Sequence, residues 1–221
     1  MKQFKLSNVD SEDIEDAIIK IEKSFNIKFK ENELSEVKTF REFSDITINK
    51  IQLQNIESCT KQQAFYKIRK SIKDTFNIED IKPETKLKEI FPRKNRRKNI
   101  KKFEQALGFK TAILHPKVSV LIILSLMFLF SLIYFYFDWK IALSGILISI
   151  LGFKLASIFG KEFQIKSIGE LSENVTKENY INSRSNQNSF NKKEIESIII
   201  DLFCDYTAIE KHELTRESTF I

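Results

Sequence analysis

Residues 118–137 read VSVLIILSLMFLFSLIYFYF, without a single charge, and after Asp138-Trp139-Lys140 a second apolar stretch, IALSGILISILGFKLASIFG, fills positions 141–160. A helix needs an uncharged run of about 18 residues to cross roughly 30 Å of hydrocarbon, because each residue rises about 1.5 Å and lipid offers no partner to exposed backbone groups. The pattern predicts a two-helix transmembrane hairpin over 118–160, with soluble segments on either side. The first run is longer than an ordinary helix buried in a soluble core requires. The second carries Ser144, Gly145, Ser149, Gly152, Ser157 and Gly160, small residues suited to close packing of one membrane helix on another. A re-entrant segment is the other reading of that stretch. Lys154, near its end, can snorkel to the headgroups.

Orientation follows from the charges close to the spans. Arg93, Lys94, Arg96, Arg97, Lys98, Lys101, Lys102, Lys110 and Lys117 precede the first run and are opposed there only by Glu104. Basic residues near span ends stay on the cytoplasmic side, so both termini are expected in the cytoplasm and the Asp138 turn outside an inner membrane. Tyr134, Tyr136 and Trp139 cluster where the far interface would lie. Up to Lys117 the chain has 26 basic and 18 acidic residues, whereas the stretch from Lys161 is net −3. The high pI of about 9.1 therefore reflects a local basic cluster. Attraction to anionic headgroups accounts for it, with Arg93, Lys94, Arg96, Arg97, Lys98, Lys101 and Lys102 as the contact residues. Nucleic acid could use the same charges, but no base-reading motif accompanies them.

Several function classes find no support. The first twenty residues are too charged for a signal peptide, so the hairpin itself is expected to direct insertion. Cys59 and Cys204 fall in segments expected in the reducing cytoplasm, where no structural disulfide forms. His115 and His212 have no Cys or His nearby to build a zinc site. The five glycines form no phosphate-cradling loop. No catalytic constellation, metal site or cofactor site is expected.

The soluble parts read as all-α. Ile14, Ile18, Ile21 and Phe25 recur on one face after the caps Asp10 and Ser11. Thr39-x-x-Glu42 is a capping-box pattern leading Phe40, Phe43 and Ile51, and Thr60-x-x-Gln63 opens a helix with Ala64, Ile68, Ile72 and Phe76. Pro83 and Pro92 bracket a short turn with Leu87 and Ile90, and a basic helix with Ile100, Phe103 and Leu107 stops at Gly108. Ser167-x-x-Glu170 leads Leu171 and Val175, residues 182–188 read as a polar loop, and Asn191-x-x-Glu194 leads Ile195, Ile198, Ile199, Leu202 and Tyr206. Ile14, Ile18, Ile21, Phe25, Phe40, Phe43, Ile68, Ile72 and Phe76 are expected to meet in one core.

These segments parallel one another. Ser24-Phe25-Asn26-Ile27 returns as Thr75-Phe76-Asn77-Ile78, and Glu33-Leu34 with Thr39-Phe40 returns as Glu213-Leu214 with Thr219-Phe220. The order of an amphipathic helix, a charged loop and a threonine-led second helix resembles the first half of acyl carrier proteins. Ile81-Lys82-Pro83-Glu84-Thr85-Lys86-Leu87-Lys88-Glu89-Ile90-Phe91 is the closest stretch. Residues 59–69 with Phe91-Pro92 and Arg96-Arg97 are similar to carrier-protein-like sequences of Bacteroidota. The resemblance implies helical bundles in 1–56 and 57–110, flanking the hairpin at 118–160 together with a cytoplasmic helical tail at 161–221.

A working carrier holds phosphopantetheine on the serine of a Gly-x-Asp-Ser-Leu motif, and here the chain departs from the family. The matching positions read Phe43-Ser44-Asp45-Ile46 in the first repeat and Pro92-Arg93-Lys94-Asn95 in the second, and the sequence stops at Ile221 before such a motif in the third. Ser44 is the one candidate for a prosthetic group; otherwise it is a solvated serine on a helix surface. The expected function is a non-catalytic, membrane-anchored adaptor that binds a cytoplasmic or membrane protein. An acyl or lipid carrier serving membrane enzymes is the alternative, and a membrane-tethered nucleic-acid-binding regulator using residues 93–102 ranks below it.

Overall fold

The Asp10 carboxylate accepts a hydrogen bond from the Glu12 amide, and this cap starts α1 (Ser11–Phe25) at the expected place. The computed structural model describes residue 6 and residues 9–220; residues 1–5, 7, 8 and 221, the ends of the expected first and last segments, lie outside the described residues. Helix α1 stops at Asn26 in the left-handed region, φ 52°, with the Ile27 amide bonded back to the Glu22 carbonyl at 3.0 Å. The capping box of Thr39 and Glu42 is complete and opens α2 (Phe40–Lys50). Strand β1 (Gln54–Asn55) follows, then α3 (Thr60–Phe76). Thr60 is not the cap of α3. Cys59 holds that position without a side-chain bond, because the Thr60 hydroxyl donates to Glu194 Oε2 at 2.5 Å.

Helices α4 (Leu87–Ile90) and α5 (Arg96–Leu107) come next, the latter ending at Gly108 with φ 91°, a backbone angle that glycine adopts without strain. The rest of the chain forms β2 (Leu114–His115), α6 (Val118–Tyr134), α7 (Trp139–Phe159), β3 (Glu162–Phe163), α8 (Ile168–Glu178), α9 (Tyr180–Ser183), β4 (Ser189–Phe190) and α10 (Lys192–Thr207). The fold is mostly helical. Its strands, among the described residues, are two residues long, β1 parallel to β4 and β2 antiparallel to β3.

Two compact units result, and they cut across the four expected segments. One joins the chain up to Pro83 with the chain from Gly169; the other is Glu84–Ile168. The tail from Gly169 is thus part of the core that the N-terminal helices begin. Helix α10 packs along α1 and places Phe203 against Phe40, ring centroids 5.3 Å apart, and Tyr180 meets Phe25 at 5.4 Å. Ile21, Phe25, Phe40, Phe43, Ile195, Ile199 and Leu202 are buried in one cluster, with Ile14 and Ile18 half-buried at its edge. Ile68 and Ile72 are buried outside that cluster, on a helix that packs against α9, and Phe76 is only half-buried. The core expected from the first three helices is therefore completed by α10 instead of α3. The Gly169 amide donates to the Pro83 carbonyl at 2.7 Å, so the chain leaves this unit and returns to it at adjacent points.

The parallels in sequence correspond to parallel geometry. Glu33 and Glu213 each close the same turn: the Glu33 amide donates to Lys30 O at 3.0 Å, and the Glu213 amide to Glu210 O at 2.9 Å. Thr39 and Thr219 then pair antiparallel, with Phe40 N on Ser218 O and Phe220 N on Lys38 O, both 2.9 Å. Lys86 and Ser167 repeat the arrangement at the starts of α4 and α8, with Leu87 N on Lys166 O at 2.9 Å and Ile168 N on Thr85 O at 3.0 Å. The first amides of α2, α4 and α8, which no bond within their own helix could satisfy, thus find carbonyl partners on the facing segment.

In the Glu84–Ile168 unit, Leu87, Phe91, Ile100, Phe103, Ile113 and Ile168 are buried, with Phe91 and Phe103 ring centroids 5.5 Å apart. Helices α6 and α7 pack on each other. A Cβ at Gly145 would collide with the Ser131 side chain, and one at Gly152 would lie 2.6 Å from Leu124 Cδ2. The small residues of α7 therefore face α6, as close helix packing requires. Helix α7, at 21 residues, is long and apolar enough to cross a membrane; α6 is shorter, at 17. The sequence ranks the two runs the other way. The first run loses Phe135–Phe137 to a turn closed by Tyr136 N on Ile133 O and Phe137 N on Tyr134 O. The second gains Trp139 and Lys140, because the Asp138 carboxylate caps the helix through the Lys140 and Ile141 amides. Helix α7 is continuous over the whole of the stretch for which a re-entrant segment is the other reading, up to Phe159.

Candidate functional site

Basic residues on α5 and the loops around it form the most strongly charged region of the Glu84–Ile168 unit. Ile100 and Phe103 anchor α5 in that unit's core and leave Lys98, Lys101 and Lys102 exposed. The first turn of α5 is entirely basic, Arg96-Arg97-Lys98, and Asn95 gives it no side-chain cap. Positive charge at a helix N-terminus opposes the macrodipole, so these residues are not there for helix stability.

Of the seven expected lipid-contact residues, Arg96 is misplaced. It is 4 % exposed, donates through Nε to Phe91 O at 2.9 Å and through Nη1 to Lys161 O, and lies over the Phe163 ring at 4.4 Å. Burial pushes its pKa down, and the nearby Glu162 carboxylate counters that. Arg96 is an internal tie between α5 and the chain after α7, because its stem is long enough to bury while its guanidinium meets backbone carbonyls. Arg93 is exposed and pairs with Glu162 at 3.1 Å. Lys94, Lys98, Lys101 and Lys102 are exposed, and half-buried Arg97 lies 5.2 Å from the Phe159 ring.

An open cleft of about 750 Å³ adjoins this surface. Arg97, Lys98, Ile100, Lys101 and Glu104 of α5 form one side; Lys110, Ile113 and Leu114 form another; Ser157, Ile158 and Gly160 close it. The loop is held in place by Glu104, whose Oε1 accepts from the Thr111 amide at 2.7 Å and the Thr111 hydroxyl at 2.8 Å. Gly160 permits the close crossing, since a Cβ there would lie 2.5 Å from the His115 carbonyl carbon. Burial lowers the His115 pKa, so its ring adds no charge at neutral pH.

A second polar constellation is buried in the other unit. Arg184 is 1 % exposed, and it donates to Thr60 Oγ1 at 2.6 Å, Ser58 Oγ at 2.9 Å, Ile56 O at 3.0 Å and Ser189 Oγ at 3.1 Å. Glu194 lies 3.9 Å away and accepts from the Thr60 amide at 3.0 Å, the Thr60 hydroxyl and the Tyr180 hydroxyl at 3.0 Å. Burial raises the Tyr180 pKa, keeping the phenol protonated to donate. Lys67, its pKa lowered by burial, caps the outer side by donating to Asn182 O at 2.8 Å and Arg184 O at 2.6 Å. This network ties residues 56–60 to 180–194, so it is a structural clasp. The sequence reads 182–188 as a loop, and Arg184 is the single cation within it.

Ser44 is not a solvated serine on a helix surface. It is fully buried, and its Oγ has no hydrogen-bond partner. A swinging arm needs an exposed hydroxyl, and α2 turns this one into the core. Among the described residues no cluster of three His, Cys, Asp or Glu could hold a metal ion. No family model matches the chain, nor does any curated protein or solved structure.

Proposed function

We propose that this chain is a non-catalytic, membrane-anchored helical adaptor, held in a bilayer by α6 and α7 with both flanking segments on the cytoplasmic side. The observation that carries the reading is the inverted composition of the α6–α7 pair. Among the described residues, 23 of the 25 large hydrophobic side chains that are exposed lie between Val118 and Phe159, while Ser131, Ala142 and Ser149 are buried. Soluble proteins rarely expose contiguous apolar patches beyond a few hundred Å². Lipid removes this penalty.

Connectivity supports an even number of crossings. Residues before Pro83 and after Gly169 share one core, which favours placing both in one aqueous compartment. An odd number of crossings between them would split that core across the bilayer. If α7 spans, α6 spans with it. Its 17 residues rise about 25 Å, and the apolar turn Phe135–Phe137 supplies the remaining height at small mismatch cost. The basic residues of α5 favour the cytoplasmic side and anionic headgroups. The carrier-like order of helices enters this reading as a surface for a cytoplasmic or membrane protein, since the inaccessible Ser44 offers no attachment point for an acyl chain.

Alkaline carbonate washing of membranes carrying the full chain tests the anchor. Retention in the pellet is the expected result, and release into the supernatant contradicts the proposal. Intact mass of the extracted protein should equal that of the bare chain; a phosphopantetheine adduct would replace the adaptor with a carrier.

A further inference from the structure

We infer that the cleft beside α5 seats the headgroup of one anionic phospholipid, an inference that rests on the membrane-anchored reading and specifies its lipid contact. Four cations line the cleft, Arg97, Lys98, Lys101 and Lys110, against one acid. That acid, Glu104, is committed to Thr111. Among the described residues, none of the four cations takes part in an ion pair, whereas Arg93 and Arg96 share Glu162. At the uncapped first turn of α5, Arg97 and Lys98 add positive charge at the positive end of the helix dipole.

The other lining residues set the ligand's chemistry. Ile100, Ile113, Leu114 and Ile158 give the cleft an apolar wall, which a small inorganic anion would leave uncovered. Its volume falls in the range of about 300–1,000 Å³ typical of ligand sites, enough for a phosphodiester with its glycerol. Ser157 and Ile158 belong to the last turns of α7, so an acyl chain starting here continues along the exposed apolar face of that helix. Ala112, at φ 50°, lines the same cleft in a left-handed conformation uncommon for a residue with a Cβ. An amphiphile with a negative phosphate is the ligand that satisfies both walls.

Native mass spectrometry of the full chain in detergent, titrated with phosphatidylglycerol or phosphatidylcholine, tests this. One phosphatidylglycerol should be retained per chain at concentrations where phosphatidylcholine is not. Lys98→Gln/Lys101→Gln/Lys110→Gln should weaken retention about a hundredfold, since each lysine near a headgroup contributes roughly a factor of five. These side chains are exposed, and unchanged thermal unfolding would show that the fold persists; Lys110→Gln alone should already weaken retention. Lys70→Gln/Lys88→Gln, on exposed residues outside the basic cluster that do not line the cleft, should leave it intact. Equal retention of the two lipids, equal loss in the control variant, or displacement by inorganic phosphate at the same concentration would overturn the inference while leaving the anchor standing. A chain that stays in solution without detergent would overturn the anchored reading and this inference together.

Discussion

Replacing Arg184 with Met keeps most of the buried stem and removes the guanidinium. Ile56 O and Ser189 Oγ then lose their donor, Ser58 Oγ keeps only Gln63 Nε2, and Glu194 loses the guanidinium 3.9 Å away. Breaking a buried pair from one side typically costs about 3–5 kcal/mol when the partner charge stays buried, but the Glu194 side chain is 24 % exposed and water offsets part of that cost. Glu194 keeps the Thr60 amide, Thr60 hydroxyl and Tyr180 hydroxyl, which places the loss near the lower end, about 3 kcal/mol. For a unit of this size that corresponds to roughly 6–12 °C in Tm. The assay is urea denaturation in mild detergent followed by far-UV circular dichroism, since the single tryptophan, Trp139, reports on the other unit. Adding Glu194→Gln to Arg184→Met should recover at least about 1 kcal/mol, as expected for directly coupled residues. A loss below about 1 kcal/mol for Arg184→Met, or strict additivity in the double variant, would refute the clasp.

Phe203→Ala should cost about 3–5 kcal/mol, as much as Phe43→Ala, because both rings fill one cluster; a near-neutral result in the same denaturation would detach the tail from the core. Thiol labelling should modify exposed Cys59 at once and Cys204 only on unfolding, since burial both shields that thiol and pushes its pKa up; fast labelling of both would contradict the packing of α10. Gly152→Leu should overpack the contact with Leu124 by about 1–3 kcal/mol, read as earlier unfolding in a denaturing-detergent titration followed by Trp139 fluorescence. An unchanged titration would mean that α6 and α7 do not pack through Gly152.

Local signals were legible in the sequence where the chemistry is local. Asp10, the Thr39–Glu42 box and Gly108 mark helix ends because each acts within three or four residues of itself. The partner of each apolar stripe was not legible, since α1 could close on α3 or α10 with equal hydrophobic logic, and only the tertiary fit selects α10. Arg96 read as a headgroup contact and Arg184 as one residue of a polar loop because charge is usually solvated; what holds them inside is a set of backbone carbonyls and hydroxyls that the sequence does not align with them. Ser44 read as exposed for the same reason, since helix phase alone does not say how wide a face of α2 the core will cover. The length of α7 turned on a capping bond at Asp138, outside both apolar runs, and that of α6 on a turn within the first run.

Cysteine accessibility in intact cells tests the even-crossing anchor most directly. In a chain whose Cys59 and Cys204 are replaced by serine, single cysteines at Glu36, Phe137 and Glu217 are offered a membrane-impermeant maleimide. Labelling at Phe137 alone, with Glu36 and Glu217 reacting only after the membrane is opened, is the result the account predicts. Labelling of either Glu36 or Glu217 in intact cells, or protection of all three positions with release of the chain by carbonate, would contradict it.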